Sequence, residues 1–420
     1  MTDRSGPFPL LLRGALVVLI VMLPIEVGVI LDEAPGVATG YGRLAVFHPF
    51  DLALMVVAVL GFPYLIGRRL GWGTGTMLVL LVGAMVGLVF NATPRGWMQV
   101  ARLAALTVTA GYISQLSDRE RTRLVVAPLM VTVGLQSLIG VAQVLNDGPI
   151  GLGTFGEREL RYFYGFGDVV AAQGTTIHGY VLAGFAMVAT LVGMTRAVRR
   201  GASPWWLVGI AVCAIPIGLT YSRMALIGMI LVMGALGWGV ARDRARYLVP
   251  TVVVIVAITV PALFALDGWT QRELSDERQG LDRLSTGRIT LMREAATMIG
   301  DHPIVGVGPG NYVTTIEADF DVEVPKQVHS VPLLVAAEDG VVWGLASLVM
   351  LAAVGLAALR SGPVATALFL GFVPFWILDK FPYTHPNGLV LTAIWLAMLE
   401  SLDRDDPAQE PSAQVTAASA

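Results

Sequence analysis

Residues 329–358 read HSVPLLVAAEDGVVWGLASLVMLAAVGLAA, an apolar run that contains one histidine and one acidic pair, Glu338 and Asp339. An α-helix needs about 20 mostly apolar residues to cross a bilayer, and this run exceeds that length. Hydrophobic residues make up 55% of the 420-residue chain and charged residues 14%, whereas soluble domains carry about 25% charged residues. The composition therefore predicts an all-α integral membrane protein.

About twelve apolar runs of membrane-spanning length follow one another along the chain. Nine predicted spans occupy residues 1–266, which also contain an outer loop near 146–168, and three more occupy 329–403. A long loop at 267–328 separates the two groups, and the tail at 404–420 lacks apolar periodicity, which predicts disorder. The predicted spans are 10–31, 50–67, 74–92, 97–116, 121–145, 169–195, 204–221, 223–240, 247–266, 329–358, 363–379 and 387–402.

Arginine clusters follow the even-numbered predicted spans. Arg68 and Arg69 follow span two, for example, and Arg199 and Arg200 follow span six. Because short cytoplasmic loops of membrane proteins carry an excess of basic residues, both termini are predicted to be cytoplasmic and the loop at 267–328 to lie outside the membrane. The single cysteine of the chain excludes an intramolecular disulfide.

The outer loop contains a helical pattern followed by a segment rich in Gly and Pro. STGRITLMREAATMIG at 285–300 predicts a helix that Ser285 or Thr286 caps. The glycines of GDHPIVGVGPGNY at 300–312 lack the strand–loop–helix context of a nucleotide-binding loop. They are interpreted either as a tight turn that packs closely or as a wall beside a substrate. The predicted apolar face of the helix comprises Ile289, Met292, Ala296 and Ile299.

Three basic residues lie near the predicted outer surface of the membrane. Arg223, between spans seven and eight, either snorkels to the interface or has an ionic partner or a function, because a membrane-buried arginine costs about 2.5–3.5 kcal/mol. Arg288 in the first turn of the loop helix suits a phosphate group. His329 either caps a helix or accepts a proton from a hydroxyl. The weaker histidine candidates are His48, His178, His302 and His385.

The acidic pair of the opening run allows two interpretations. Glu338 and Asp339 are either buried partners for arginines or the mark of a break in predicted span ten. Charged residues inside membrane segments also occur in transporters, where they lie near broken helices. A polytopic transporter or flippase for a glycan or a small anionic solute therefore stays an alternative to an enzyme, although the sequence shows no internal repeat of the kind that many transporters have.

TYSRMAL at 220–226, the block at 285–312 and HSVPLLVAAEDG at 329–340 resemble, in that order, motifs of the O-antigen ligase and O-antigen polymerase superfamily of membrane glycosyltransferases. One position departs from the family pattern, since Ser330 stands where the family usually has Asn. The resemblance extends over about 220–345. The matching residues are Thr220, Ser222, Arg223, Gly287, Arg288, His302, Pro303, Gly306, Gly308, Tyr312, His329, Leu333, Glu338 and Gly340.

The resemblance implies a GT-C-like, metal-independent, inverting glycosyltransferase without a cofactor. Such an enzyme moves a glycan from a polyprenyl (undecaprenyl-type) diphosphate to a hydroxyl of a glycan or lipid acceptor, at the outer face of the bacterial cytoplasmic (inner) membrane. Arg223 and Arg288 would bind the diphosphate and His329 would act as the general base. Ligase and polymerase share these motifs, and no nucleic acid is involved. The further substrate-binding candidates are Arg161, Lys326, Gly306, Gly308, Tyr312 and Glu338.

Overall fold

The computed structural model describes residues 7–33, 44–158, 170–266, 268, 270, 288–319 and 326–404. Several predicted features lie outside the described residues. These are the third phosphate-binding candidate Arg161, the helix caps Ser285 and Thr286, and the tail after Arg404.

Helices form most of the described chain, together with one two-stranded antiparallel sheet, β1 (Val29–Glu33) and β2 (Leu44–Phe47). Short 3-10 helices lie at Phe62–Tyr64 and Gly153–Phe155. The α-helices are α1 (Pro7–Met22), α2 (Pro49–Gly61), α3 (Trp72–Phe90), α4 (Pro94–Gln115), α5 (Asp118–Leu145, with a π-helical turn at Thr122–Val126), α6 (Gly179–Arg200), α7 (Pro204–Leu219), α8 (Arg223–Arg242), α9 (Arg244–Phe264), α10 (Arg288–Asp301), α11 (Tyr312–Asp319), α12 (Val331–Asp339), α13 (Val341–Ser361), α14 (Pro363–Leu378), α15 (Phe381–Thr384) and α16 (Pro386–Arg404).

Six of these helices, α3, α5, α6, α8, α9 and α13, are long and apolar enough to cross a membrane. Four shorter apolar helices lie within α1, within α7, within α14 and at Pro49–Tyr64. The predicted all-α architecture is confirmed, with a helix in each of the twelve predicted spans. The number of spans that cross the bilayer, and the direction in which they cross it, stay predictions.

The core of the protein surrounds α6 and α16. The apolar window of α6 is 94% buried, whereas that of α9 is only 17% buried. A helix that is apolar on all sides belongs in the interior, and one that keeps an apolar face exposed belongs at the lipid boundary. The residues of α16 from Pro386 to Leu402 are likewise buried, so these two helices form the centre around which the others pack.

Predicted span ten is two helices, α12 and α13, which meet at Gly340. The backbone of Gly340 has φ +103°, and a Cβ added there would lie 2.1 Å from the carbonyl oxygen of Ile304. The N–H of Val341 donates to the carbonyl of Pro303 at 2.9 Å. Of the two interpretations of the acidic pair, the one that expected a break in span ten is therefore confirmed.

The Gly- and Pro-rich segment packs against the broken end of α12. The N–H of Val307 donates to the carbonyl of Ala337 at 2.9 Å, and that of Gly308 to the carbonyl of Glu338 at 2.7 Å. A Cβ added at Gly306 would lie 2.3 Å from the backbone of Glu338. These contacts agree with close packing of a tight turn, the first of the two sequence interpretations, and substrate contact by Gly306 and Gly308 stays a prediction.

The residues of α10 that the structure buries are not those of the predicted apolar face. The helix instead buries a neighbouring face, while Ile289 is 43% exposed and Met292 is 36% exposed. Both faces carry apolar residues at helical spacing, so periodicity alone could not decide between them. Contact with α12 decided it, because the turn fixes which side of α10 faces that helix. The buried residues of α10 are Leu291, Ala295 and Met298.

We expect Gly340→Ala to destabilise the protein. A side chain at positive φ costs about 1–3 kcal/mol, and here the added Cβ also meets a backbone oxygen that cannot rotate away. The apparent melting temperature of the detergent-solubilised protein should fall by several degrees. The matched control is Gly300→Ala, because a Cβ there has nothing within 4 Å. Equal melting temperatures for the two variants would contradict the packing described for the break.

Candidate active site

The helices α10 and α12 both end at the Gly-rich turn. Their last residues are held together through the Gly-rich turn, by the bonds from Val307 to Ala337 and from Val341 to Pro303. Thirteen residue steps along α10, from Asp301 back to Arg288, span about 20 Å. Eight residue steps along α12, from Asp339 back to Val331, span about 12 Å. The two extended residues before α12 add about 7 Å and lead to His329. These similar lengths from a common turn agree with the proximity of Arg288 to His329, since the charge of Arg288 lowers the pKa of His329.

Arg288, His329 and Asp379 lie close enough to act on one another electrostatically. Burial is the main cause that lowers the pKa of Arg288, and the carboxylate of Asp379 opposes it. Burial also lowers the pKa of His329, to about 4, and Asp379 again opposes that shift. Both basic residues are half-buried. The carboxylate of Asp379 therefore acts electrostatically on two basic residues from different segments of the chain.

The position of Asp379 is fixed by the turn that follows α14. Its Oδ1 accepts hydrogen bonds from the N–H of Lys380 at 2.7 Å and from the N–H of Phe381 at 3.0 Å. The ring of Phe381 is fully buried, and it contacts the ring of Phe372 edge-on at 6.1 Å between centroids. A Cβ added at Gly184 would lie 2.5 Å from this ring. The packed ring therefore anchors the turn that presents the carboxylate.

Arg223 is the first residue of α8 and lies near Arg288. It adds to the lowering of the pKa of Arg288, after burial. The turn before it is strained, because Tyr221 has φ +51°, an uncommon value for a residue with a side chain. Ser222 then caps α8 by accepting a hydrogen bond from the N–H of Ala225 at 3.3 Å. Two guanidinium groups that repel each other create a position that favours an anion.

Positive charge from three residues affects the imidazole of His329. After burial, the charges of Lys380, Arg288 and Lys326 lower its pKa. Lys326 itself is exposed. The imidazole is therefore neutral at neutral pH and can accept a proton, and it lies in the segment before α12, outside the helices that can span a membrane. A bound anion would oppose these positive charges and raise the basicity of His329.

The structure places Glu338 and Tyr312 in the interior. Glu338 is 1% exposed, and it accepts hydrogen bonds from the backbone N–H of Gly310 and Tyr312 and from the side chain of Gln99. Arg95 acts on it electrostatically, as the interpretation of Glu338 as a partner for an arginine expected. Tyr312 is fully buried. These contacts hold the Gly-rich turn, and substrate contact by Glu338 and Tyr312 stays an untested prediction.

Asp379 and Lys380 were missed by the reasoning from sequence. They lie in DKFPYTHPN at 379–387, a polar stretch between two apolar runs, in which only His385 was considered. The available signal was the acidic and basic pair at the end of a predicted span, where Asp379 is its last residue and Lys380 follows it. Its importance depends on the packing of Phe381, which brings the turn against the segment before α12, and no local pattern indicates that contact.

No group of three or more His, Cys, Asp and Glu side chains that could hold a metal ion occurs among the residues that the structure describes. Metal independence, which the resemblance implied, stays a prediction. The candidate site as described consists of three basic residues and one acid: Arg223, Arg288, His329 and Asp379.

A protein-family model matches part of the chain. Residues 208–349, about a third of the chain, match the family model described as O-antigen ligase. The match extends from α7 into α13, so it includes Arg223, Arg288 and His329 but not Asp379. No curated protein matches the chain.

Proposed function

Because residues 208–349 place the chain in the O-antigen ligase family, we propose that this multi-pass membrane protein transfers a glycan from a polyprenyl diphosphate to an acceptor hydroxyl with inversion. The family suggests a membrane enzyme of glycan transfer that uses lipid-linked glycans. The observation that supports the finer proposal is that Arg288 lies near both Arg223 and Asp379, and that Asp379 also acts on His329.

The two arginines hold the diphosphate in this mechanism. When the bond between the anomeric carbon and the phosphate oxygen breaks, the electron pair leaves with the diphosphate, whose negative charge increases. Guanidinium groups remain charged at all physiological pH values and can bind two phosphate oxygens at once. Arg223 and Arg288 therefore stabilise the leaving group in the transition state more strongly than in the ground state, which is the requirement for catalysis.

His329 accepts the proton of the acceptor hydroxyl. The hydroxyl oxygen attacks the anomeric carbon from the side opposite the leaving diphosphate, so the configuration inverts in a single displacement. In the free protein, burial and nearby cations lower the pKa of His329 to about 4, which keeps the imidazole neutral but makes it a weak base. Binding of the diphosphate introduces negative charge beside it and raises its basicity when the substrate is present.

Asp379 supports both parts of this mechanism as a positioning residue. Its carboxylate opposes the loss of positive charge on Arg288 and favours the imidazolium form of His329 that proton transfer produces. The backbone hydrogen bonds from Lys380 and Phe381 hold the carboxylate in place. Asp379 therefore stabilises charge on residues that contact the substrate.

The transport alternative rests on the buried acidic pair and on the break at Gly340. Glu338 accepts hydrogen bonds from the Gly-rich turn, and the hydroxyl of Tyr383 donates to Asp339 at 3.3 Å. Glu338 therefore joins the end of α12 to the Gly-rich turn, and Asp339 joins it to α15. Packing accounts for this pair, which leaves the enzyme as the function that the arrangement supports best.

We further propose that the candidate site faces the outside of the cytoplasmic membrane and that both termini are cytoplasmic, as the arginine clusters predict. In a Cys213→Ala background, Ile304→Cys should react with a membrane-impermeant maleimide in whole cells, since Ile304 is 77% exposed. The matched control is Arg244→Cys, also at an exposed position, which should react only after permeabilisation. The reverse labelling pattern would refute this orientation.

Substitution of His329 should separate binding of the donor from transfer. His329→Gln keeps a hydrogen-bonding group but cannot act as a base near neutral pH. Single-turnover transfer with saturating polyprenyl-linked donor should slow by about 10²–10⁴, while donor affinity should change little. With subsaturating donor, the wild-type kcat/KM should stay level as the pH falls through 6.5, because burial and nearby cations lower the pKa of His329 in the free protein and keep the imidazole neutral there.

The arginine variants provide the comparison for that experiment. Arg288→Ala should weaken donor binding, and Arg288→Lys should restore it only in part, because lysine lacks the bidentate fork. Near-wild-type transfer by His329→Gln would rule out the general-base role. Unchanged donor affinity in both Arg223→Ala and Arg288→Ala would remove the arginines from the site. Added EDTA should leave the wild-type rate unchanged.

A further inference from the structure

A second cluster of basic residues lies at the far end of the core helix α6, away from the candidate site. Gly179 begins α6 against the turn that leads to Arg223, since a Cβ added there would lie 3.2 Å from the carbonyl oxygen of Thr220. Seventeen residue steps along α6, from Gly179 to Arg196, span about 26 Å. That length approaches the thickness of the hydrocarbon core of a bilayer, about 30 Å. The two clusters therefore lie at opposite ends of this helix.

The basic pocket is lined by the ends of three helices. Arg121 from α5, Arg196 and Arg199 from α6 and Leu402 from α16 surround a space of about 280 Å³, which includes the part open to solvent. Arg121 is only 2% exposed, whereas Arg196 is half-buried and Arg199 is exposed. Cations therefore extend from the interior of the pocket to its mouth.

Contacts with backbone and with an aromatic ring hold two of these arginines in place. Arg199 donates to the carbonyl of Leu402 at 3.2 Å, which joins the end of α6 to the end of α16. The guanidinium of Arg196 lies over the ring of Trp206, 5.5 Å from its centroid, and Trp206 donates to the carbonyl of Gly193 at 2.8 Å. A side chain that is already ordered loses little entropy when it binds a ligand.

One carboxylate balances part of this positive charge. The Oδ1 of Asp118 lies 3.9 Å from the Nη2 of Arg121, and its Oδ2 accepts a hydrogen bond from the Nε of Arg200. Of the lining residues that the structure describes, Asp118 alone is acidic, against three arginines. The pocket therefore carries an excess of positive charge, and an anion that enters it competes with Asp118.

The wall that α5 contributes departs from α-helical geometry at the pocket. The π-helical turn at Thr122–Val126 supplies Thr122 and Val126 to the lining. Such turns inside α-helices are rare and often accompany functional sites. The irregularity of α5 therefore coincides with the place where its side chains face the arginines of α6.

The basic pocket lies at the depth that lipid headgroups occupy. Trp205, next to the ring that contacts Arg196, is 85% exposed, and tryptophans concentrate at the interface between membrane and water. Met398 and Leu402 add apolar side chains to the lining. Cations beside apolar side chains at this depth match the phosphate and glycerol region of a lipid better than they match a soluble anion.

We propose that the basic pocket binds the phosphate of an anionic phospholipid, of the phosphatidylglycerol or cardiolipin class, in the leaflet opposite to the candidate site. Basic pockets between membrane helices are suited to such headgroups. A zwitterionic headgroup would bring an ammonium group toward three arginines, which repel it. This inference does not depend on glycan transfer. With the orientation proposed above, the leaflet is the cytoplasmic one.

The test measures lipid binding to the delipidated full-length protein in a neutral detergent by native mass spectrometry. The probes are dioctanoyl phosphatidylglycerol and dioctanoyl phosphatidylcholine, which have the same acyl chains. Phosphatidylglycerol should bind at least about tenfold more tightly, and it should raise the melting temperature of the protein. Equal affinity for the two lipids would overturn the proposal.

Substitutions locate the binding site. Arg196→Gln and Arg199→Gln should each weaken binding of phosphatidylglycerol by about fivefold. The matched control is Arg123→Gln, at an exposed position of the same π-helical turn outside the lining, which should change binding little. Arg288→Gln should also change it little, since the candidate site lies elsewhere. A lipid preference that survives the double variant at 196 and 199, or that Arg288→Gln abolishes, would refute the assignment.

A substitution with the opposite expected sign separates binding from a structural role. Asp118→Asn removes the competing carboxylate, so phosphatidylglycerol should bind more tightly by about fivefold. The melting temperature of the lipid-free variant should fall, because the ion pairs of Asp118 with Arg121 and Arg200 are lost. A merely structural role would weaken lipid binding together with stability, and that result would contradict the proposed place of the phosphate.

Soluble anions distinguish the two sources of a phosphate group. Inorganic phosphate and glycerol 3-phosphate present the anion without acyl chains, so at equal concentration they should raise the melting temperature less than dioctanoyl phosphatidylglycerol does. An equal rise would overturn the lipid assignment and identify a site for a soluble anion.

Discussion

The arrangement of the site depends on backbone hydrogen bonds between the Gly-rich turn and the broken end of α12. Val307 and Gly308 donate to the carbonyls at the end of this helix, and Val341 closes the break by donating to Pro303. These bonds set the register between α10 and α12. Because Arg288 and His329 lie at similar distances along the chain from the turn, this register agrees with their proximity. The turn therefore lies away from the candidate site residues and fixes the relative position of the two helices that carry them.

The second property of the site is its excess of basic residues over acidic ones. Basic residues from three separate segments meet near one carboxylate, Asp379, which acts on Arg288, His329 and Lys380. Such an arrangement is costly in the free protein, since burial penalises every one of these charges. In the proposed mechanism it becomes favourable when the anionic substrate enters, and the binding of the anion and the basicity of His329 then increase together. Substrate binding and activation of the base are one electrostatic event in this account.

The helical architecture followed from apolar run lengths, and the break in the tenth run was one of two interpretations of Glu338–Asp339. The joint role of Arg288 and His329, which motif resemblance implied, stays a prediction. The buried face of α10 did not follow from the sequence, because Ile289 and Leu291 belong to two apolar stripes of equal quality and only contact with α12 selects one. Asp379 also escaped prediction. Its role arises from the packing of Phe381 against α6 and α14, a contact between segments some 200 residues apart in sequence, which local pattern cannot reveal.

The central claim is that the paired arginines bind the donor diphosphate beside His329. It is tested most directly by a cryo-electron microscopy structure of the protein in nanodiscs with a non-hydrolysable polyprenyl diphosphate analogue. The account predicts density for the two phosphates between Arg223 and Arg288, at hydrogen-bond distances of about 2.7–3.2 Å, with the anomeric position on the side of His329. Diphosphate density away from both arginines, with these side chains still ordered, would contradict it.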